Sequence, residues 1–354
     1  MFYYKTALSG IKTYIEELVH GSHKYGRKDV EYTFSHDLEK IKNKQFFINS
    51  KFRLVRWVFQ IRYLIWKQII LPIKLITNKA DILICPDYVA PVFSPCRKIV
   101  VIHDNLFWKY PQNYPLLWRK YFIKLIKLGL SINADIVTTS IYSKYGLKNI
   151  FNNKKITHIY QSSERVYYNN KINRSKDYIL HVGTFEERKD LLTLVKAFKL
   201  FKENTNSNHK LVLAGSKYIN GKKQVYKSIK KYVLKNNLIS SIIMPGYIKK
   251  KQAIYYYNNA SCYVFPSIDE GFGIPLIEAM RARVPVICSD IEIFKEIGGD
   301  SVIYFKKQDH KDLYSKLKLI VENKTNIFDL IQKANKRTDL FNQKKFIEGF
   351  EKLY

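Results

Sequence analysis

The 354-residue sequence predicts an α/β protein made of two doubly wound, Rossmann-like domains. Three observations carry that expectation. The length suits two domains at roughly 150 residues each. In the second half, short apolar runs alternate with longer amphipathic ones, the rhythm of strand–helix repeats. Those short runs are continuously apolar, the pattern of a parallel sheet covered on both faces.

In the second half the expected strands are Tyr178–Val182 (YILHV), Lys210–Ala214 (KLVLA), Ile242–Met244, Cys262–Pro266 (CYVFP), Val284–Cys288 (VPVIC) and Val302–Phe305. Helices are expected between them, near 190–203, 221–236, 249–258, 274–282 and 309–322. The first half repeats the rhythm less regularly. Strands are expected at Asp81–Cys85, Ile99–His103 and Ile136–Thr139, and helices near 10–21, 114–131 and 143–151. The polar stretch Arg165–Asp177 (RVYYNNKINRSKD) reads as a linker. The expected organisation is a domain over 1–165, a linker over 166–177, a second domain over 178–335, and a C-terminal helix over 336–354 crossing back to the first domain. Only eight residues precede Ser9-Gly10, with at most a strand stub at Phe2–Tyr4. Either the first strand is very short or the sequence starts downstream of its natural beginning.

Hydrophobic residues make up 46% of the chain and charged residues 26%, which supplies cores and excludes a disordered protein. Lys plus Arg number 61 against 30 Asp plus Glu, a net charge of +31. Residues 1–150 hold 24 basic and 10 acidic side chains, so the excess is spread along the chain and the surface should attract anions. The four cysteines, Cys85, Cys96, Cys262 and Cys288, form no CxxC pair, which argues against disulfide scaffolds and zinc ribbons. The N-terminus lacks the layout of a secretory signal, and no stretch of about 18 apolar residues runs free of charge. A soluble, basic, cytoplasmic protein is expected.

The most informative segment is PSIDEGFGIPLIEAM, Pro266–Met280, which follows a strand and opens a helix. Gly271 and Gly273 permit positive φ and close approach to a ligand, and Pro275 fits a helix's first turn. The backbone N–H groups of Phe272, Gly273 and Ile274 would face a cleft at the helix's positive end. Glu270 before the helix and Glu278 within it could line that cleft, and a carboxylate suits the vicinal hydroxyls of a ribose or hexose. A second segment, HVGTFEERKDLLTLVKAF (His181–Phe198), places Arg188-Lys189 between a strand end with its Gly183 turn and a helix. Two cations at such a switch form a natural diphosphate clamp. Gly215-Ser216 and Pro245-Gly246-Tyr247 follow the next two strands, as expected of loops around a nucleotide. In the first half, His103-Asp104 closes a strand where a doubly wound sheet places ligand contacts, and Ser9-Gly10 could open a helix facing the same cleft.

These features together resemble the retaining glycosyltransferases of family 4, which have the GT-B fold, two Rossmann-like domains facing each other across a cleft. The resemblance spans most of the chain, from SGIKTYIEEL to SDIEIFKEIGGDSVIYF. Its strongest signature is E-x7-E at Glu270 and Glu278. Arg188-Lys189, His103-Asp104 and the segment CPDYVAP (Cys85–Pro91), similar to mannosyltransferase-like members, add to it. The resemblance implies that Arg188 and Lys189 neutralise the diphosphate of a nucleotide-sugar donor and stabilise the departing nucleoside diphosphate. Glu278 would hold the ribose hydroxyls. Glu270, with the backbone of Phe272 and Gly273, would orient the donor sugar. His103 would contact that sugar from the other domain, and Gly10 would give the diphosphate room. No cofactor or divalent metal is expected, because the cations and helix dipoles take its place. The implied activity moves a sugar from GDP-mannose, or next from a UDP-sugar, to a hydroxyl of a saccharide acceptor in bacterial surface polysaccharide assembly, O-antigen or capsule.

Three departures from the family pattern stand out. Asp190 replaces the usual Asn after the Arg-Lys pair, and it is expected to cap the following helix. The first strand is truncated. QSSERV, Gln161–Val166, replaces the usual Pro-Gly. Ile41–Ala80 holds nine basic residues and no acidic one, interleaved with apolar side chains. It reads either as a basic amphipathic segment lying on an anionic membrane, which would suit a lipid-linked acceptor, or as an ordinary helix whose cations snorkel. Rival functions are a nucleotide-sugar epimerase or inactive GT-B scaffold, and a basic nucleic-acid-binding protein. Diffuse charge and the lack of a nucleic-acid signature argue against the last.

Overall fold

The computed structural model describes residues 9–36, 53–164, 166–170, 177–217, 224–322 and 325–354. The strand stub expected at Phe2–Tyr4 and most of the linker lie outside them. The chain forms two compact units, Met1–Ser162 with Asn342–Tyr354, and Ser163–Phe341.

In the N-terminal unit, helix α1 (Ser9–Tyr25) begins at the predicted Ser9-Gly10. Helix α2 (Arg53–Ile65) runs through a π turn, Trp66–Ile70, into α3 (Leu71–Thr77). Then come β1 (Ile82–Cys85), β2 (Arg97–Val101), α4 (Leu116–Gly129), β3 (Ala134–Thr138), α5 (Ile141–Lys148) and β4 (Ile156–His158). The C-terminal unit contains β5 (Tyr178–Val182), α6 (Leu191–Asn204), β6 (Lys210–Ala214), α7 (Gln224–Lys235), β7 (Ile242–Gly246), α8 (Lys250–Asn259) and β8 (Cys262–Phe265). It continues with α9 (Ile274–Arg281), β9 (Val286–Ser289), α10 (Glu292–Gly298), β10 (Ile303–Phe305), α11 (His310–Val321) and α12 (Ile327–Arg337). Helix α13 (Gln343–Glu351) returns to the N-terminal unit.

Strand β4 and helix α10 were not among the elements predicted; three and seven residues are too few to set a period. Strand β9 starts two residues later than expected, after Pro285, which has no N–H to give a ladder.

The N-terminal sheet is parallel in the order β1-β2-β3-β4. Its alternate residues feed two cores. Val100, Ile102 and Ile136 pack under Trp66, Leu71 and Leu75 and under Ile126 of α4. Ile99, Val101 and Val137 pack under Tyr14 and Leu18 of α1 and Phe346, Ile347 and Phe350 of α13. A buried ion pair pins the π turn to the sheet. The Lys67 ammonium lies 2.8 Å from Asp87 Oδ1, each side chain only 3% exposed, and the Tyr63 hydroxyl donates to Asp87 Oδ2 at 3.1 Å. Burial disfavours the charged Lys67, but Asp87 together with the neighbouring Cys85 outweighs it and holds the ammonium above the ordinary lysine range.

The C-terminal sheet is parallel in the order β10-β9-β8-β5-β6-β7. The chain runs outward from central β5 to β6 and β7, then returns to the other side of β5 with β8. In a doubly wound sheet such a reversal is where the loops at the strands' carboxyl ends diverge and a ligand site is expected. Strands β8 and β9 are buried along their whole length, in keeping with helices on both faces. On α6, Leu191, Leu194, Val195, Phe198 and Phe201 recur at helical spacing and are all buried, which fixes its register on the sheet.

Removing Asp87 alone strands a buried cation. Asp87→Ala is expected to cost about 3–5 kcal/mol in denaturant unfolding, whereas the Lys67→Met/Asp87→Leu pair should cost far less. Equal losses for both would show that the ion pair does not set the stability of this unit.

Candidate functional site

The loops at the β5/β8 crevice are tied together by charge. After β5 and Gly183 the chain makes a 3-10 turn, Glu187–Lys189, before α6. After β8 it passes Pro266–Gly273 into α9. The carboxylate of Glu270 bridges the two loops. Its Oε1 accepts from Lys189 Nζ at 2.5 Å and from the Ser267 hydroxyl at 2.8 Å, and its Oε2 lies 2.5 Å from an Arg188 guanidinium nitrogen. Arg188 also donates to the Asp269 carbonyl at 2.6 Å and to Glu186 at 3.0 Å. Backbone seals the junction, with Ile268 N–H donating to the Arg188 carbonyl at 2.9 Å. Burial alone would raise the Glu270 carboxyl, but the Arg188 and Lys189 charges overcome it and hold it at about 2. Lys189 further sits 4.9 Å over the Phe265 ring.

The structure thus brings Arg188, Lys189 and Glu270 together. Glu278 in α9 is fully buried and accepts from the Tyr257 hydroxyl at 3.1 Å. Gly273 takes φ +107° at the start of α9, where a side chain would be strained, and Ile274 is the first helical residue. The Phe272 side chain is buried against Phe341, so only its backbone is available to a ligand. A Cβ on Gly215 would fall 1.7 Å from the Gly183 carbonyl oxygen, so the turns after β5 and β6 touch through bare backbone. Tyr247 follows β7 and is 69% exposed.

Gly10 and His103 belong to the N-terminal unit. Gly10 sits in the first turn of α1. His103 follows β2, is buried, and donates from Nε2 to the Pro86 carbonyl at 2.9 Å, which leaves Nδ1 as its lone-pair nitrogen. Burial holds its pKa down at about 4, so the ring is neutral at physiological pH. Tyr14 packs edge-on against it, at 4.7 Å between ring centres.

Asp190 stands at the N-cap position of α6 but makes no capping hydrogen bond, which corrects the expectation. At φ +44° and ψ +45° its backbone is left-handed, whereas a capping side chain needs the β region to reach the helix's free N–H groups. Its Oδ2 is buried without a partner. Burial raises the carboxyl, against a smaller opposing effect of Thr193.

Sequence reading missed four participants. Ser267 and Glu186 steady Glu270 and Arg188 from within the same loops, and Tyr257 reaches Glu278 from α8. His181 on β5 donates from Nδ1 to the Val264 carbonyl at 2.9 Å, while its Nε2 is buried without a partner beneath Gly183. Its place within the PSIDEG run could have marked Ser267; nothing in the pattern marks the other three. Among the described residues, no group of three or more His, Cys, Asp or Glu is placed to hold a metal ion.

Two outcomes follow from these charges. The depressed Glu270 contributes about 3 kcal/mol of stability above pH 4.5, lost as the pH falls towards 2, and Glu270→Gln should lack that part of the acid unfolding curve. An unaltered curve would sink the assignment. Asp190→Asn, which tolerates the left-handed backbone and carries no charge, should stabilise by roughly 0.5–2 kcal/mol. Because the folded carboxyl is raised, that gain is fully present above its folded pKa and fades below the ordinary aspartate value; a gain that grows on acidification would contradict the cause given.

Residues 164–338 match the family model described as "Glycosyl transferases group 1". The O-antigen chain mannosyltransferase RfbU of Salmonella typhimurium is 27% identical over 256 residues, 71% of this chain and 68% of that protein. The O-antigen chain mannosyltransferase B of Escherichia coli is 26% identical over 227 residues, 58% of this chain and little more than half, 56%, of its own length. Among solved structures, WaaG, a glycosyltransferase involved in lipopolysaccharide biosynthesis, superposes with a TM-score of 0.70 at 13% identity, covering 98% of this chain and 96% of that one. The two parallel-sheet units have the GT-B fold, and the group 1 match over residues 164–338 with these relatives supports a glycosyltransferase enzyme.

Proposed function

We propose that the protein is a retaining glycosyltransferase of family 4 that transfers mannose from GDP-mannose, or failing that a sugar from a UDP donor, to a hydroxyl of a saccharide acceptor in the assembly of a bacterial O-antigen or capsule. The observation that supports this reading best is the convergence of Arg188, Lys189 and Glu270 where the loops after β5 and β8 meet. The mannosyltransferase relatives favour mannose.

In this reading a donor's diphosphate enters at the two cations and competes with Glu270 for them. Released from part of its ion pairing, Glu270 turns its lone pairs to the sugar hydroxyls. Glu278 takes the ribose hydroxyls, and the N–H groups of Gly273 and Ile274 face the ligand at the positive end of α9. In the transfer step the bond from the anomeric carbon to the phosphate oxygen breaks with its electron pair going to the nucleoside diphosphate. The acceptor oxygen bonds to that carbon and its proton leaves to phosphate or solvent. Arg188 and Lys189 stabilise the charge that develops on the leaving group, and no metal is needed for that. His103, Gly10, Gly183, Gly215 and Tyr247 complete the donor's surroundings in this scheme. The protein works in the cytoplasm, peripheral to the membrane's inner face, where a lipid-linked acceptor is presented.

A thermal-shift series with GDP, UDP, GDP-mannose and UDP-sugars tests the donor, because a tight ligand raises the melting temperature by mass action. GDP-mannose is expected to give the largest shift. Arg188→Ala should lower turnover at saturating donor on the order of a hundredfold or more, the worth of one preorganised charge-stabilising donor. Turnover like the parent's, or no shift with any nucleotide, removes the reading.

A further inference from the structure

One face of the N-terminal unit is apolar and basic, with no acidic residue in the helices that build it, and we propose that it seats the protein on the surface of an anionic phospholipid bilayer. This deepens the peripheral placement given above and rests on it, but it does not depend on the donor. The face is built by α2, the π turn, α3 and α4. All pack on one side of the sheet, where Trp66, Leu71 and Leu75 share a core with Ile126 and Leu130. They also meet at one segment of chain. Gln68 accepts from the Val92 N–H at 2.9 Å, and Gly129 of α4 approaches Ala90 so closely that a Cβ would lie 2.7 Å from its carbonyl oxygen.

The outward side of this layer is unusual. Val58, Ile61, Ile65, Ile69, Ile73 and Ile76 recur every three or four residues and are 45% to 56% exposed, so they form one stripe. On α4, Leu117 is 82% and Tyr121 41% exposed, and Phe93, just past the shared segment, is 64% exposed. Isolated apolar side chains on a surface need no explanation, but a stripe of this length marks an interaction site.

Charge selects the partner. Residues 53–80 and 105–134 contain eleven basic residues and no acidic one. Lys67 is consumed by Asp87 inside the unit, but Arg62, Lys74, Lys120, Lys124 and Lys127 are exposed. Lys120 and Lys124 flank Leu117 and Tyr121 on the same turns of α4. A second copy of the chain would meet like charge here, and a nucleic acid would leave the isoleucine stripe in water. The interface of an anionic bilayer offers both an apolar phase for the stripe and counter-charge for the cations. Among the described residues no helix is long and apolar enough to cross a membrane, so the contact lies along the surface.

Co-flotation of the full chain with phosphatidylcholine vesicles, with and without phosphatidylglycerol, tests this. The protein should float with the anionic vesicles only, more weakly as salt rises. Ile69→Glu/Ile73→Glu should abolish flotation. Lys120→Ala/Lys124→Ala/Lys127→Ala should weaken partitioning on the order of a hundredfold, about fivefold for each cation. Both variants should keep the parent's thermal shift with nucleotide, which separates loss of this surface from loss of the fold or the donor site. The proposal is overturned if the parent does not float, if it floats equally with neutral vesicles, or if both variants float like the parent. Dimers that Ile69→Glu/Ile73→Glu dissociates, without flotation, would assign the stripe to a second copy instead. Binding to generic single-stranded RNA as tight as to vesicles, and insensitive to the isoleucine changes, would also overturn it.

Discussion

A carboxylate held between two cations governs the C-terminal unit's crevice. Glu270 lies 2.5 Å from both Arg188 and Lys189 in a setting nearly closed to water. Any one of these charges would be costly there alone, since a buried ion without its partner keeps its desolvation penalty. The three therefore specify one another, and with them the loops after β5 and β8. The neighbouring contacts extend the same logic outward. Ser267 steadies the carboxylate, Ser289 donates to the Ser267 carbonyl at 2.5 Å, and Glu186 with the Asp269 carbonyl fixes the far side of Arg188. The parallel sheet supplies the location, because its order reversal places the loops that leave β5 and β8 side by side at the carboxyl ends of adjacent strands.

The N-terminal unit uses a second buried ion pair for a different purpose. Lys67 and Asp87 clamp a helix to the segment that follows β1 in their own unit. The clamp lets the opposite side of that helix stay apolar and exposed without peeling away. His103 follows from the same neighbourhood. The chain next to Asp87, at Pro86, supplies the carbonyl that orients its ring.

Much of this was legible in the sequence because it is local. The strand–helix rhythm of residues 178–322 depends on neighbours a few positions apart, and the strands of that half emerged within about two residues of their expected ends. The E-x7-E spacing and the Arg188-Lys189 pair were visible for the same reason. Their union was not, since it joins side chains 81 positions apart. Tyr257 beneath Glu278 was hidden for the same cause. Asp190 failed differently. Residue type suggested a cap, but the backbone turns left-handed there, and a dihedral angle set by the packing of two loops leaves no periodic trace. Strand β4, at three residues, lies below the length at which alternation can be read.

The π turn at Trp66–Ile70 has a consequence for how this helix tolerates change. Tyr63, Lys67, Leu71 and Leu75 all face inward, at intervals of four. An α-helix repeats about every 3.6 residues, so a strict step of four drifts steadily around the axis. The wider turn absorbs that accumulated lead, acting as a phase correction between the two halves. Shortening it by a single residue would leave both halves helical yet rotate one against the other, turning Leu71 and Leu75 out of the core. Length is thus more tightly constrained at this point than the identity of any one side chain.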